Sequence, residues 1–214
     1  MRENTKFKLN IAFLAVLALA ISICARLATI FPGDLWLTLQ LQSLDNHLIL
    51  LTMNFVSFIF GGWRSALVVT AIGIVTWWRI GRLEAIMIAA AGLITLVNTA
   101  FKLVINRPRP SAEVVHVLST AQGNGFPSGH AFFAIVVLGL TAYFISINVQ
   151  NRVLRTLALA ALIVLVLLVG ISRVYLGVHW PGDVIGGYVI GGVFLTALIW
   201  FHRTWKARKS RQHD

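Results

Sequence analysis

Charge is scarce in this chain: Asp, Glu, Lys and Arg make up 12% of its residues, where a soluble domain typically carries about 25%. Acidic residues are scarcer still, seven against eighteen basic ones. A lone cysteine, Cys24, leaves neither a disulfide framework nor a thiolate metal site to consider. No proline- or serine-rich linker, low-complexity tract or internal repeat divides the 214 residues, so a single domain, 1–214, is expected. What fills the space is apolar, 58% of the chain. Several runs reach the roughly 20 residues needed to cross a bilayer. A soluble globular protein is excluded.

These runs predict an all-α, polytopic membrane protein: a six-transmembrane-helix bundle with spans at about 9–31, 64–80, 85–104, 129–147, 153–172 and 184–202. Between Pro32-Gly33 and Asn46, the spacing of Leu35, Trp36 and Leu39 predicts an interfacial helix between spans one and two. Leu48 to Phe60 is apolar but short, and reads either as a surface or re-entrant helix or as the start of the second span. The first 25 residues have the outline of a secretory signal, yet the apolar run continues past Arg26 to Phe31, which favours an uncleaved anchor. Arg26 is expected to snorkel to the outer interface. All seven tryptophans fall near predicted span ends, where an amphipathic ring belongs.

A net charge of +11 in a soluble protein would point to nucleic acid; here its placement points away from that partner and towards membrane lipid. With six crossings, Arg2, Lys6, Lys8, Arg79, Arg82, Arg152, Arg155, Arg203, Lys206, Arg208, Lys209 and Arg211 share one side. The positive-inside bias makes that side cytoplasmic, with both termini and a basic tail at 205–214, in the inner, cytoplasmic membrane of a cell. Arg64, Lys102, Arg107, Arg109 and Arg173 lie on the other side, against the trend. All but Arg64 belong to polar clusters at span edges, so a bound anion would account for them.

Three such clusters stand out. Lys102 to Pro110 places a lysine in the last turns of a span, where it complements the helix dipole. The prolines at 108 and 110 hold Arg109 on a stiff, extended backbone. Alone, this reads as a basic flank with a proline stop. Pro127-Ser128-Gly129-His130 opens the next apolar run, and alone reads as a helix with a serine N-cap. The same helix start can bind an anion through free N–H groups, with Gly129 allowing close approach. Ser172 to Asp183 concentrates Arg173, His179 and Asp183 at one edge. Charged groups there are costly and usually functional. The turn at Trp180-Pro181 can bring the Asp183 carboxylate to Nδ1 of His179, leaving Nε2 free to attack. Ser111 to Phe126, with Gly123 and Gly125, lies between two clusters and reads equally as a flap or a solvated loop. Gly182-x3-Gly186 and Gly187-x3-Gly191 allow close helix contact, expected within the monomer.

Taken together, Lys102-x6-Arg109-Pro110, Pro127-Ser-Gly-His130 and Ser172-Arg173-x5-His179-x3-Asp183 resemble the three signature motifs of the type-2 phosphatidic acid phosphatase superfamily, with no position departing from the pattern. At roughly one chance in twenty per fixed residue, their ordered coincidence on one side is not accidental. The resemblance implies a lipid phosphatase that uses no metal and no cofactor. It makes His179 a nucleophile that forms a phosphohistidine, Asp183 its orienting carboxylate and His130 the acid for the leaving group. Lys102, Arg109, Ser128, Gly129 and Arg173 would bind the substrate phosphate. Arg107 falls outside the signature and is considered as a contact to a second phosphate.

The implied substrate is a membrane lipid phosphate or diphosphate at the outer face. A polyprenyl diphosphate such as undecaprenyl diphosphate is slightly favoured over phosphatidylglycerophosphate or phosphatidic acid. Lipid phosphotransfer and lipid A dephosphorylation are alternatives within the superfamily. Vanadium haloperoxidases share the motifs but are soluble. A lipid-phosphate transporter is the non-enzymatic alternative, although transport needs a path to both faces and every cluster maps to one. Neither head group nor oligomeric state is legible.

Overall fold

A computed structural model describes residues 2–212, with side chains from residue 5 onwards. Eight helices and no strand are found among the described residues. They are α1 (Arg2–Leu27), α2 (Asp34–Gln42), α3 (His47–Ile59), α4 (Arg64–Arg79), α5 (Arg82–Ile105), α6 (Gly129–Asn148), α7 (Arg152–Tyr175) and α8 (Pro181–Ser210). Length and apolar composition allow α1, α5, α6, α7 and α8 to cross a bilayer, and α3 with α4, bent by 71° at the break between them, counts as a sixth if the pair is one span. The all-α, polytopic expectation holds with five or six candidate spans, and the apolar stretch at Leu48–Phe60 forms its own helix at the break. α5 carries a turn at 95–96, and Ala134–Leu138 of α6 is a π segment.

Local chemistry sets the ends. Asn46 starts α3 by accepting from the amides of Leu48 and Ile49 at 2.8 and 3.3 Å, and Asn151 caps α7 from Leu154 at 3.0 Å. Asn106, at φ 53°, stops α5 in the left-handed conformation that asparagine tolerates. α2 has the two faces expected of an interfacial helix: Trp36 and Leu39 are exposed, while Asp34 and Thr38 are buried against the bundle.

α6 is the centre of the bundle. Half of its apolar window is buried, whereas in α1 buried Ala25 lies near the helix end. Phe132, Val136, Val137, Leu140 and Phe144 fill the core, and α8 crosses them on its glycine face. A Cβ on Gly187 would lie 2.7 Å from the carbonyl oxygen of Ser128, and one on Gly191 would lie 3.2 Å from that of Phe132. The glycine pairs thus let two helices of one chain approach. Trp180 departs from the interfacial belt: it is fully buried, because the turn before α8 folds inward rather than towards lipid headgroups.

At the opposite end, buried Glu84 of α5 receives Lys206 at 2.7 Å and meets His202 Nε2 at 3.1 Å, while His202 Nδ1 lies 2.9 Å from the Tyr143 hydroxyl. The segment read as a basic tail at 205–214 continues α8 as far as Ser210. Its last two residues, and the Arg2 side chain, lie outside the described residues.

Candidate active site

The third cluster is assembled where α7 ends. Arg173 occupies its last turn; the amides of Val178 and His179 both return to the Arg173 carbonyl at 3.2 Å. Gly177 makes this turn at φ 68°, and a Cβ there would also strike the backbone of His116. Pro181 then opens α8 at its first position, where no N–H is needed. Asp183 sits one turn in. Its Oδ2 accepts from the Trp180 amide at 2.9 Å, capping the helix, and lies 3.4 Å from His179 Nδ1. The expected carboxylate–imidazole pairing is present.

The other imidazole nitrogen, Nε2, lies 3.0 Å from Nη1 of Arg109. A guanidinium only donates, so Nε2 offers its lone pair and the ring proton belongs on Nδ1, towards Asp183. Burial, reinforced by Arg109, Arg173 and Lys102, holds the His179 pKa well below the ordinary histidine value. The ring is neutral at physiological pH. Burial likewise lowers the Arg109 pKa, with Asp183 opposing the shift.

In the first cluster, Lys102 Nζ donates to the Asn124 carbonyl at 2.8 Å, and the Asn124 amide returns a bond to the Lys102 carbonyl at 2.9 Å. Arg109 donates to the carbonyls of Gly123 at 2.8 Å, Gln122 at 3.0 Å and Val178 at 2.6 Å. Ser111–Phe126, largely exposed, is tethered at this point. Three successive carbonyls lie on two of the three cations, and the segment is further pinned by Leu118 N to Leu176 O at 3.0 Å.

The second cluster opens α6. The Ser128 amide donates to the Asp183 carbonyl at 2.9 Å, tying the starts of α6 and α8 together. The Ser128 hydroxyl is wholly buried and has no partner, an arrangement that suits an incoming acceptor. Gly129 faces Asn98, whose Nδ2 would lie 3.2 Å from a Cβ at 129. His130 Nε2 is 3.2 Å from the Ser57 carbonyl, and the Ser57 hydroxyl meets Arg173 Nη1. His130 and Arg173 line a cavity of about 580 Å³ with Asn54, Ser57, Gly61 and Arg64. The Arg173 Nε is buried without a partner.

All eight residues read as site residues therefore gather at one end of the bundle. Arg107 does not join them as a phosphate contact. Its side chain is fully enclosed, bonded to Asp183 Oδ1 at 2.6 Å, Asp34 Oδ2 at 2.7 Å and the Thr29 carbonyl at 3.1 Å, and stacked 4.1 Å from the Phe31 ring centre. Two carboxylates hold it inside the protein. Sequence reading also passed over Asp34, Ser57 and Asn98. For Asp34 and Asn98 a signal existed, since a polar group set among apolar residues at membrane depth carries a cost; nothing local marks Ser57.

Fold and site together define an integral membrane protein that collects imidazole, carboxylate and three cations at one end of its helix bundle. A family model described as the PAP2 superfamily matches residues 83–207, more than half of the chain and all three clusters. The chain belongs to the PAP2 superfamily. It is 38% identical over 109 residues to the phosphatidylglycerophosphatase B of Bacillus subtilis, covering 50% of this chain and 51% of that protein. It is 33% identical over 104 residues to the lipid A 4'-phosphatase of Bacteroides thetaiotaomicron, covering 44% of this chain and 42% of that one. These matched stretches span about half or less of each curated relative. The fold resembles the crystal structure of a transmembrane PAP2-type phosphatidylglycerolphosphate phosphatase from Bacillus subtilis, with a TM-score of 0.79 and 23% identity over 91% of this chain and 96% of that one. Aquifex aeolicus LpxE is similar over 80% of this chain and 96% of that one, with a TM-score of 0.62 and 22% identity.

Proposed function

We propose that this chain hydrolyses a membrane lipid phosphate or diphosphate through a phosphohistidine on His179, without a metal ion. The observation that carries the reading is the orientation of His179: Nδ1 towards Asp183 and Nε2 towards Arg109, in a ring kept neutral. A nucleophile needs that lone pair, and a phosphate held by Arg109 would lie against it.

Phosphoryl transfer is chiefly positioning and neutralisation of charge. In the proposed first step Nε2 attacks phosphorus, the bond to the lipid oxygen breaks, and His130 gives that oxygen a proton. The phosphoryl oxygens are met by Lys102, Arg109 and Arg173, by the Ser128 hydroxyl and by the amides that open α6. Asp183 stabilises the charge that develops on His179. In the second step water attacks phosphorus, His130 takes its proton, the N–P bond breaks and inorganic phosphate leaves. Before either step, the phosphate must displace the carbonyls of 122–124 from Lys102 and Arg109, which gives the loop its role as a flap.

The positive-inside bias supports an outer-face location for this chemistry. The substrate class is a lipid phosphate or diphosphate: a polyprenyl diphosphate, phosphatidylglycerophosphate or phosphatidic acid. The experiment is phosphate release from a panel of these lipids in detergent, by the wild type and His179→Ala, with and without chelator. The reading expects turnover that survives the chelator and vanishes in His179→Ala. Full activity in the variant would overturn the nucleophile, and loss with chelator would overturn the metal-independent chemistry.

A further inference from the structure

Beyond Asp183, the hydrogen-bonded line from His179 continues into the protein. Arg107 spans two carboxylates, with Nη1 on Asp183 Oδ1 at 2.6 Å and Nη2 on Asp34 Oδ2 at 2.7 Å. Asp34 is itself fixed: Oδ1 accepts from the Gly182 amide at 2.8 Å and Oδ2 from the Phe31 amide at 2.9 Å. All three charged side chains are buried. The line joins the start of α2, the segment after α5 and the start of α8, three elements far apart in sequence.

This arrangement does two things to Asp183. Arg107 occupies Oδ1, so the carboxylate cannot rotate and Oδ2 alone faces Trp180 N and His179 Nδ1. Asp34 shares the positive charge of Arg107. Without Asp34, the guanidinium would be neutralised by Asp183 alone and would draw its negative charge away from the imidazole. With it, the group of Asp34, Arg107 and Asp183 carries one net negative charge, held beside the ring that must become cationic as Nε2 attacks. Coulomb interactions at such distances are strong where water is excluded.

We propose that Asp34 and Arg107 are positioning residues for the reaction: they hold Asp183 in the orientation and charge state that aim Nε2 of His179 at the substrate phosphorus. The inference rests on the nucleophilic role of His179 given above. Neither residue touches the substrate, so the expected signature is in kcat and not in KM.

The test uses the full chain in detergent and the release of phosphate from dioctanoyl phosphatidic acid. Compared are the wild type, Asp34→Asn, Arg107→Lys, Asp183→Asn, the double variant Asp34→Asn/Asp183→Asn, and His179→Ala, each expressed per mole of monodisperse protein. Loss of a buried partner behind a functional group typically costs about 10- to 100-fold. Asp34→Asn and Arg107→Lys should each lose that much kcat with KM within about threefold, and the double variant should fall within about threefold of Asp183→Asn. A purely structural role would instead multiply the losses of Asp34→Asn and Asp183→Asn. Multiplied losses, or an unchanged kcat in Asp34→Asn, would overturn the inference while inactive His179→Ala left the nucleophile intact. Activity in His179→Ala would overturn both. Should Asp34→Asn yield no folded protein, Arg107→Lys decides alone, by the same cycle against Asp183→Asn.

Discussion

His179 is enclosed among cations, and that enclosure contributes to how the protein responds to pH. Its pKa in the folded chain lies well below the ordinary histidine value of 6.5, whereas in the unfolded chain it returns to that value. Above pH 6.5 both states leave the ring neutral, and His179 contributes no pH dependence. As pH falls below 6.5 the unfolded chain takes up a proton that the folded chain refuses, so stability declines. Thermal unfolding in detergent should therefore show a melting temperature that drops between pH 6.5 and 5, with the drop reduced in His179→Gln. The proposed mechanism gives the two histidines opposite tasks, His179 attacking in its neutral form and His130 donating a proton, so it predicts a bell-shaped profile of kcat/KM against pH when chemistry limits the rate. A flat profile through neutrality would contradict the assignment.

Ser128 gives a second prediction at this scale. Its hydroxyl is buried with no partner, so the fold gains nothing from it. A hydrogen bond to a charged group contributes about 1.5–3 kcal/mol. Ser128→Ala should lower kcat/KM by at least about tenfold and leave the melting temperature unchanged or higher. A fall in melting temperature without a kinetic loss would assign the hydroxyl to structure instead. The motif residues were legible because their spacing is fixed along the chain. Ser57 was not, because what recruits it is the packing of α3 onto α7, which no local pattern encodes; Asp34 was marked only as a polar group among apolar residues, and its partners come from packing. Arg107 misled because a surplus cation beside Arg109 has the same sequence appearance whether it faces ligand or core.

Among the elements, α8 does the most to place the site, since it carries Asp183 and meets α6 at Ser128. The contact depends on the absence of a side chain at Gly187, where a Cβ would stand 2.7 Å from a backbone oxygen that cannot yield. Gly187→Val should cost about 1–3 kcal/mol through overpacking and lower kcat together with stability. Stability measured by denaturant or heat, beside turnover, checks it; an unaltered protein would show that α6 and α8 do not approach as described. Helix number and approximate limits were readable from apolar runs of sufficient length. The bend between α3 and α4 and the π segment in α6 were not. Gly61-Gly62 marks a break without its angle, and a π turn has no composition of its own.

For the molecule as a whole, charge is segregated: Lys102, Arg109 and Arg173 gather at one end of the bundle, and the Glu84, His202 and Lys206 cluster closes the other. On the proposed reading, the positive-inside bias turns that axis with the site outward, which thiol labelling tests. In a Cys24→Ser background, Thr120→Cys in the flap should react with a membrane-impermeant thiol reagent added to intact cells, and Ser210→Cys should react only after permeabilisation. The reverse pattern would move the chemistry to the cytoplasmic face. Six crossings and their orientation were argued from composition alone, whereas the continuation of α8 into the basic tail required Glu84, 122 positions before Lys206, to receive it.

The central claim is that Nε2 of His179 takes the phosphoryl group. Rapid quenching of the enzyme with a radiolabelled lipid phosphate should trap label on protein that is stable in alkali, labile in acid, and absent from His179→Ala. Normal turnover with no such label, and with the phosphate oxygen delivered directly from water in a single displacement, would contradict it.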